Sequence, residues 1–521
     1  MRRPRRTAFV ARRLSTRGLV PAGRATIFMA CSPQPSHPLP ELPPELWILI
    51  LEYSTYPSSP GGEITAYAPE PSVELPSSFL STALTPASLA PRLAHYRASM
   101  RHKRNLTLVS KQWHQYAQPV LYSFVWLARA AQAKALALTL LCQACCLDPA
   151  SGPATDTSAG RFIRRLHIET PALERCNPAD LRAVLAYAPA LEVYSDYRSV
   201  RRGALSADLL GALAQGGALR GLSWTNYDDP ALVGLGVGLG MGVGVGLGHM
   251  GGRLEYLELN FVSSAEGPAK AHFDLAMGGA GAEALSLPAL KTLKVALDNA
   301  TFAVLSTWDL PALRNLSVLS ADFSYASAGF RRFFAVHGAR LRQLELGHSS
   351  AHIEEHYLTA PPPTAAGANG GGAAHGLSLA EWCPHLEEFV CSADAAWDWQ
   401  HPDWIAPHLL LPAHPTVTLI GIRGIDARLW DGDAAFFGLR AQVESLLRRE
   451  AFPRLRYVRD LSAGSDALRR GRGGMRVVKF WEGVLERCRR EQVWLEDWRG
   501  WNVTSGSLRR ARARVAAGEV A

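Results

Sequence analysis

The chain has little cysteine: eight residues in 521, most in apolar settings such as Leu141-Cys142 and Cys145-Cys146-Leu147. That excludes a disulfide scaffold and points to a reducing compartment, cytoplasm or nucleus. A secretory h-region is also absent, so the sequons at Asn105, Asn299, Asn315 and Asn502 carry no glycosylation argument. There is no Gly-x-Ser-x-Gly elbow, and no Lys-Ser/Thr follows the one long glycine run. A serine-hydrolase turn and a phosphate cradle are therefore unsupported. Acidic residues are missing from residues 1–40, which hold eight arginines.

That last absence explains the charge. Of the net +9, eight charges lie in residues 1–40 and three in 505–521, which leaves 41–504 at −2. A nearly neutral body is not the footprint of a nucleic-acid-binding protein, so no nucleic-acid partner is expected. Residues 1–28 have the composition of a mitochondrial transit peptide. Initiation at Met29 and a disordered Arg-rich leader fit the same composition. The basic run Leu508–Arg514 reads as a disordered tail over 505–521.

Residues 230–252 carry no Asp, Glu, Lys or Arg, and glycine takes every second position from Gly234 to Gly248. Each glycine costs a helix about 0.8–1 kcal/mol relative to alanine, so a membrane-spanning helix is disfavoured and an inserted loop is expected. No membrane partner follows from this segment.

Leu42-Pro43-Pro44-Glu45-Leu46-Trp47-Ile48-Leu49-Ile50-Leu51-Glu52-Tyr53 predicts a short helix. Proline pre-sets its first turn and Glu45 complements the dipole there. Leu46, Leu49, Ile50 and Tyr53 share one face, while Trp47, Ile48 and Leu51 extend the apolar surface round the cylinder, so the helix needs more than one partner. A stretch rich in Pro, Ser and Gly follows, read as a loop over about 54–100. Pattern returns with Arg101–Tyr122, in which Leu106, Val109, Trp113 and Tyr116 are expected on one helical face.

The Leu-Pro-x-Glu-Leu opening, the Ile-Leu pair and the later Leu108-Val109-Ser110-Lys111-x-Trp113 block resemble an F-box. The continuation Gln118-Pro119-Val120-Leu121-Tyr122 is similar to F-box proteins of basidiomycete fungi. In those, a long insertion commonly divides the two halves, and Met100–Leu106 fits the helix that follows it. The resemblance covers residues 41–127. It implies a small all-helical module that docks on a Skp-family adaptor and, through it, a cullin. By position, the adaptor-facing candidates are Leu42, Pro43, Pro44, Glu45, Leu46, Leu49, Ile50, Val109 and Trp113. A helix-in-groove interface with apolar anchors suits them. For Leu106, Leu108 and Trp113 a place in the module's own core is an equal alternative.

After residue 160 one phrase recurs: apolar, two spacers, apolar, one spacer, apolar. Clear copies begin at Ile163, Leu254, Leu290, Leu313 and Leu341, and weaker ones at Leu191, Leu219, Leu386, Val417 and Leu455. Four of the nine intervals match the roughly 20–29 residues of leucine-rich repeats. Prolines 189, 288, 311, 384 and 453 stand two residues ahead of a copy, where they end a helix and start a strand. Helices are expected at Asp180–Ala188, Ala207–Gln215, Phe330–His337, Ala435–Arg449 and Val477–Arg490. Ala130–Leu147 is expected to cap the first repeat. The fold class is therefore α/β: a small helical module, then an irregular leucine-rich-repeat-like solenoid over 128–504 with insertions near 230–252 and 359–377.

Little chemistry is visible. His352-Ile-Glu-Glu355-His356 matches the H-x-x-E-H zinc-hydrolase signature, but it directly follows a repeat strand and has no third ligand, so a solvated helix start is expected. Cys142-x-x-Cys145 is a lone pair in an apolar helix, read as buried thiols. No catalytic residue, metal or cofactor is assigned. Trp397, Trp399 and Trp404 are candidate substrate-binding residues, with packing between repeats as the alternative. A non-catalytic substrate receptor for an unknown protein substrate is the function expected from the whole.

Overall fold

The computed structural model describes residues 42–55, 79–80, 89–145, 158–169, 172, 175–197, 205–227, 247–262, 285–296, 305–319, 328–347, 379–393, 413–425, 429, 433–462, 465, 468 and 474–518. Among the described residues three helices come first: α1 (Pro44–Ser54), α2 (Leu89–Thr107) and α3 (Lys111–Tyr122). The strands that follow are β1 (Phe124–Leu127), β2 (Arg165–Glu169), β3 (Val193–Tyr197), β4 (Gly221–Tyr227), β5 (Tyr256–Val262) and β6 (Thr292–Ala296). They continue as β7 (Asn315–Leu319), β8 (Gln343–Gly347), β9 (Glu388–Ser392), β10 (Leu419–Arg423), β11 (Tyr457–Asp460) and β12 (Trp494–Glu496). All twelve form one sheet in chain order, each pair of neighbours parallel.

Each of the ten expected phrases begins two residues before a strand, so the phrases are β2 to β11. Their central apolar residues stack in register as Leu166, Tyr194, Leu222, Leu257, Leu293, Leu316, Leu344, Phe389, Ile420 and Val458. Val125 of β1 and Leu495 of β12 extend this column at its two ends. The whole column is buried and belongs to the main core. A parallel sheet covered on this face by helices needs such a continuous apolar ladder.

The array starts earlier than residue 128, because β1 lies inside the stretch assigned to the module. Tyr122-x-x-Val125-x-Leu127 is itself a copy of the phrase with tyrosine in first place. At the far end β12 follows Gln492, which stands at φ 57°, and Asp497 fills the last apolar place, so the phrase is degraded there.

On the core side lie α4 (Ala130–Cys145), α5 (Pro178–Ala186), α6 (Leu205–Gln215), α7 (Ala328–His337), α8 (Asp433–Leu446) and α9 (Met475–Arg490). In α4, Ala133, Ala137 and Leu140 are buried, which closes the N-terminal end of the array. Cys142 and Cys145 are exposed, contrary to expectation. They sit about 200° and 140° round the helix from Leu140, at 100° per residue, and so face solvent.

Within the segment 505–521, residues 505–518 also differ from expectation. Ser505–Ala516 forms α10, capped by Thr504 Oγ1, which accepts from the Ser507 N–H at 3.2 Å. Leu508 and Ala511 are buried, while Arg509, Arg510 and Arg512 are exposed. Arg512 reaches Glu482 of α9 at 3.6 Å, and Arg489 of α9 donates to Ser505 Oγ at 2.7 Å. The arginines form the polar face of a helix that covers the last repeat, as terminal repeats require.

Two insertions are shorter than expected. Residues 247–250 form a helical turn that buries Leu247 and Met250 in the core. The loop assigned to about 54–100 ends where α2 begins, at Leu89. The other insertion, 359–377, lies outside the described residues, as do residues 1–41. Among the described residues no helix is long and apolar enough to cross a membrane.

Candidate docking surfaces

The N-terminal helices pack around a small core of Leu51, Ala117 and Val120, flanked by Ile48, Leu106, Trp113 and Tyr116. The Trp47 and Trp113 rings meet at 5.9 Å with their planes tilted by 48°. Ser99 Oγ ties α2 to the end of α1 through the Thr55 carbonyl at 3.3 Å. Leu106, Val109, Trp113 and Tyr116 do not share one helix, as the spacing predicts. Ser110 stops the run: its Oγ accepts from the Trp113 N–H at 3.1 Å and caps α3, so α2 ends at Thr107.

One face of α1 is exposed. Leu46, Leu49 and Ile50 are 45%, 47% and 45% exposed, and Tyr53 is 73% exposed. Leu108 and Val109, in the turn between α2 and α3, are exposed at 72% and 61%. The Trp47–Trp113 contact joins the first turns of α1 and α3. Pro43, Pro44 and Glu45 are exposed at that end and Leu42 is half-buried. Trp113 turns inward instead. A run of large exposed apolar residues on one helix is the kind of surface that marks a contact site.

The module is fixed to the array. Ser123, which separates α3 from β1, accepts from the Arg164 and Arg165 N–H groups with its carbonyl, at 3.1 and 3.0 Å. On the open face of β1, the Trp126 N–H donates to Tyr96 Oη of α2 at 3.0 Å, and Trp126 Nε1 donates to Glu169 at 2.9 Å. Burial at this junction pushes the Tyr96 phenol up to about 12.

The second surface is the open face of the sheet, opposite the helices. Its alternate strand residues are mostly polar and tied into networks. Glu258 accepts from Ser223 Oγ at 2.8 Å and from Tyr256 Oη at 3.1 Å, and pairs with Lys294 at 2.8 Å. Burial, then the Glu258 charge, holds the Tyr256 phenol well above its ordinary value. Burial alone would lower Lys294, but Glu258 and Glu345 outweigh it and its ammonium ends above its usual range. Glu345 accepts from Ser317 Oγ at 2.6 Å and pairs with Arg423. Arg459 holds Glu496 through two hydrogen bonds of 2.9 and 2.7 Å.

This face is already touched by the chain itself. Phe79 and Leu80, from the insertion between α1 and α2, are both buried. The Phe79 N–H donates to Gln343 Oε1 of β8 at 2.7 Å, and Arg423 of β10 donates to the Phe79 carbonyl. Leu80 packs with Val390, Leu419, Leu461 and Tyr457. Sequence reasoning missed this contact. The one signal was an apolar pair within Ser77-Ser78-Phe79-Leu80-Ser81, in a stretch otherwise read as loop.

A third feature is the strand-entry edge. Arg164, Glu192, Arg220, Glu255 and Lys291 occupy equivalent places before β2 to β6 and alternate in sign. Arg220 and Lys291 approach Glu255 at 2.7 and 2.6 Å, and Lys291 first among them holds its carboxyl below the usual range. Further on, a hollow of about 570 Å³ is lined by Arg314, Arg340, Arg342, His385, Glu387 and Arg454 among others. Glu387 is its one acid, and the hydroxyls of Thr416 and Thr418 in its lining donate to the Leu386 and Glu387 carbonyls at 2.7 and 3.1 Å. Among the described residues no three His, Cys, Asp or Glu side chains are grouped to hold a metal ion. His352, Glu355, His356, Trp397, Trp399 and Trp404 lie outside the described residues.

No family model and no curated protein matches the chain. Among solved structures, it is similar to a chain of the yeast Rad7 and Elc1 complex, with 9% identity and a TM-score of 0.23 over 73% of this chain and 95% of that one.

Proposed function

We propose that this protein is a non-catalytic substrate receptor: its helical module docks on a Skp-family adaptor of a cullin-based ubiquitin ligase, and the open face of its array holds a protein substrate. The observation that carries this reading is the exposed strip of Leu46, Leu49 and Ile50 on α1, with Leu51 on the opposite side anchoring the helix in the module. Apolar anchors on one helix, rimmed by Glu45 and the prolines, suit a helix-in-groove partner. The direct passage from α3 into β1 supports the second half of the reading. A receptor that works by tethering gains from a short, fixed link between its two binding surfaces, because effective concentration falls when the link is long and loose.

The test is co-elution of the purified full chain with a purified Skp-family adaptor. Wild type is expected to bind, and Leu46→Asp or Ile50→Asp to lose binding while keeping its melting curve. A wild-type chain that does not bind the adaptor is a ligase-independent scaffold, and the reading fails.

A further inference from the structure

The contact made by Phe79-Leu80 has the features of a receptor holding a ligand. It lies on the open face, apart from the main core, in its own cluster of Leu80, Val390, Leu419 and Leu461. Its partners are remote in the chain: Phe79 and Gln343 are 264 residues apart, and Phe79 and Arg423 are 344 apart. Both main-chain groups of Phe79 are held by side chains, the N–H by Gln343 and the carbonyl by Arg423. Grasping the backbone is how a surface holds an extended peptide, with pockets beside it reading the side chains.

The seat is also built in advance. Gln343 donates to Glu388, and Arg423 is held by the buried Glu345, which Ser317 orients in turn. Fixing the two arms before the peptide arrives lowers the ordering cost of binding. Around them Glu388, Glu345, Arg459 and Glu496 keep the open face polar, whereas Val390 and Leu419 break that pattern. Gly421, between Leu419 and Arg423, has no side chain where Leu80 lies. The apolar side chains and the missing one occur together, at the place where an aliphatic residue is received.

We propose that this seat on β8 to β11 is a recognition site for an extended segment of a protein partner carrying an aromatic–aliphatic pair, and that Phe79-Leu80 occupies it in cis as an internal competitor. The inference rests on reading the open face as the substrate surface, and it names the class of substrate and how access to it is set. A partner must displace Phe79-Leu80 to bind. An occupant tethered in the same chain competes at millimolar effective concentration, so only a partner with further contacts on the array enters readily.

The test uses the full chain without any adaptor, and a labelled peptide of residues 75–84 as probe. A Phe79→Ser/Leu80→Ser chain is expected to bind the peptide at least about tenfold more tightly than wild type, as removal of an internal competitor requires. Adding Gln343→Ala is expected to reverse most of the gain, and a scrambled peptide is expected not to bind. Should the double variant fail to fold, Leu80→Ala, which keeps both main-chain contacts, must still gain affinity over wild type. A folded variant that binds the peptide no better than wild type would show that Phe79-Leu80 is a structural tether and overturn the proposal. A chain that binds the peptide but no adaptor keeps this inference and loses the ligase; the opposite result loses this inference alone.

Discussion

Leu80 lies against Gly421: a Cβ on that glycine would stand 3.1 Å from Leu80 Cδ2 and 2.7 Å from Leu461 Cδ1. Gly421→Ala must therefore push both side chains aside. Overpacking of this kind costs about 1–3 kcal/mol. Val390 Cγ2 also stands at 3.3 Å, so in a Leu80→Ala background one of three obstacles is gone, and the cost is expected to fall by at least about 0.5 kcal/mol, the size of coupling between touching residues. Urea unfolding of the four chains in the cycle measures this. Additive effects would mean that Leu80 does not rest on β10 in solution.

Neighbouring residues of α1 are expected to behave oppositely. Leu51 is 1% exposed and sits in the module core, so Leu51→Ala is expected to cost about 2–5 kcal/mol of module stability. Ile50 faces out, and Ile50→Asp is expected to stay within about 0.5 kcal/mol of wild type. Thermal melts separate the two. An Ile50→Asp chain that melts early would place Ile50 in a packed interface of this chain, and its loss of adaptor binding would then say nothing about docking.

The array was legible because its signal is a spacing. Leu254-x-x-Leu257-x-Leu259 states which residues stack, and neither the number of insertions nor their length alters that local rule. What stayed hidden depends on neighbours far along the chain. Phe79-Leu80 is an ordinary dipeptide until β8 and β10 are set beside it. The arginines of 505–521 read as a solvated tail by composition, because Leu508 and Ala511 are only three residues apart and too few to show a period. In the module, Leu106, Val109, Trp113 and Tyr116 keep helical spacing across a real break. The hydroxyl of Ser110 caps the next helix, and periodicity alone does not register that local competition.

Lys103 of α2 makes the module's stability depend on pH. It is buried, and burial lowers its ammonium from the usual 10.5 to about 8, with the Glu52 charge partly opposing the shift. Below pH 8 the lysine is charged in both folded and unfolded chains, and the desolvation cost is fully present. Between about 8 and 10.5 the folded chain releases the proton while the unfolded chain keeps it, so stability rises with pH. The full gain is on the order of 3 kcal/mol. Burial pushes the Cys383 and Cys488 thiols up from 9 to about 12, so they act in the other direction from about pH 9, and Tyr96, raised to about 12, does so above pH 10. The urea midpoint of the wild type is therefore expected to rise relative to that of Lys103→Met from pH 7 to 9.5, the thiol contribution being common to both chains. Parallel trends in the two chains would remove Lys103 as the cause.

The buried pair behind the Phe79 carbonyl gives a sharper contrast. Glu345 is 2% exposed in its side chain and faces Arg423, which is 19% exposed. Arg423→Ala leaves a buried carboxylate with Ser317 as its nearest remaining donor, and removal of one partner of such a pair costs about 3–5 kcal/mol. Glu345→Leu/Arg423→Leu removes both charges and is expected to recover most of that loss, because the desolvation cost disappears with the attraction. Urea melts of the two chains check this.

The C-terminal helix supplies a test of whether the last arginines belong to the fold. Leu508 is 1% exposed beneath α10, while Arg510, two residues on, faces solvent. Leu508→Ala is expected to cost about 2–5 kcal/mol, because it opens a cavity over the last repeat. Arg510→Ala is expected to change stability by less than about 0.5 kcal/mol. Should α10 open locally ahead of the array, the loss appears instead as faster amide exchange over Ser505–Ala516, with the global melt unchanged. Equal behaviour of the two variants in both measurements would return this segment to a solvated tail.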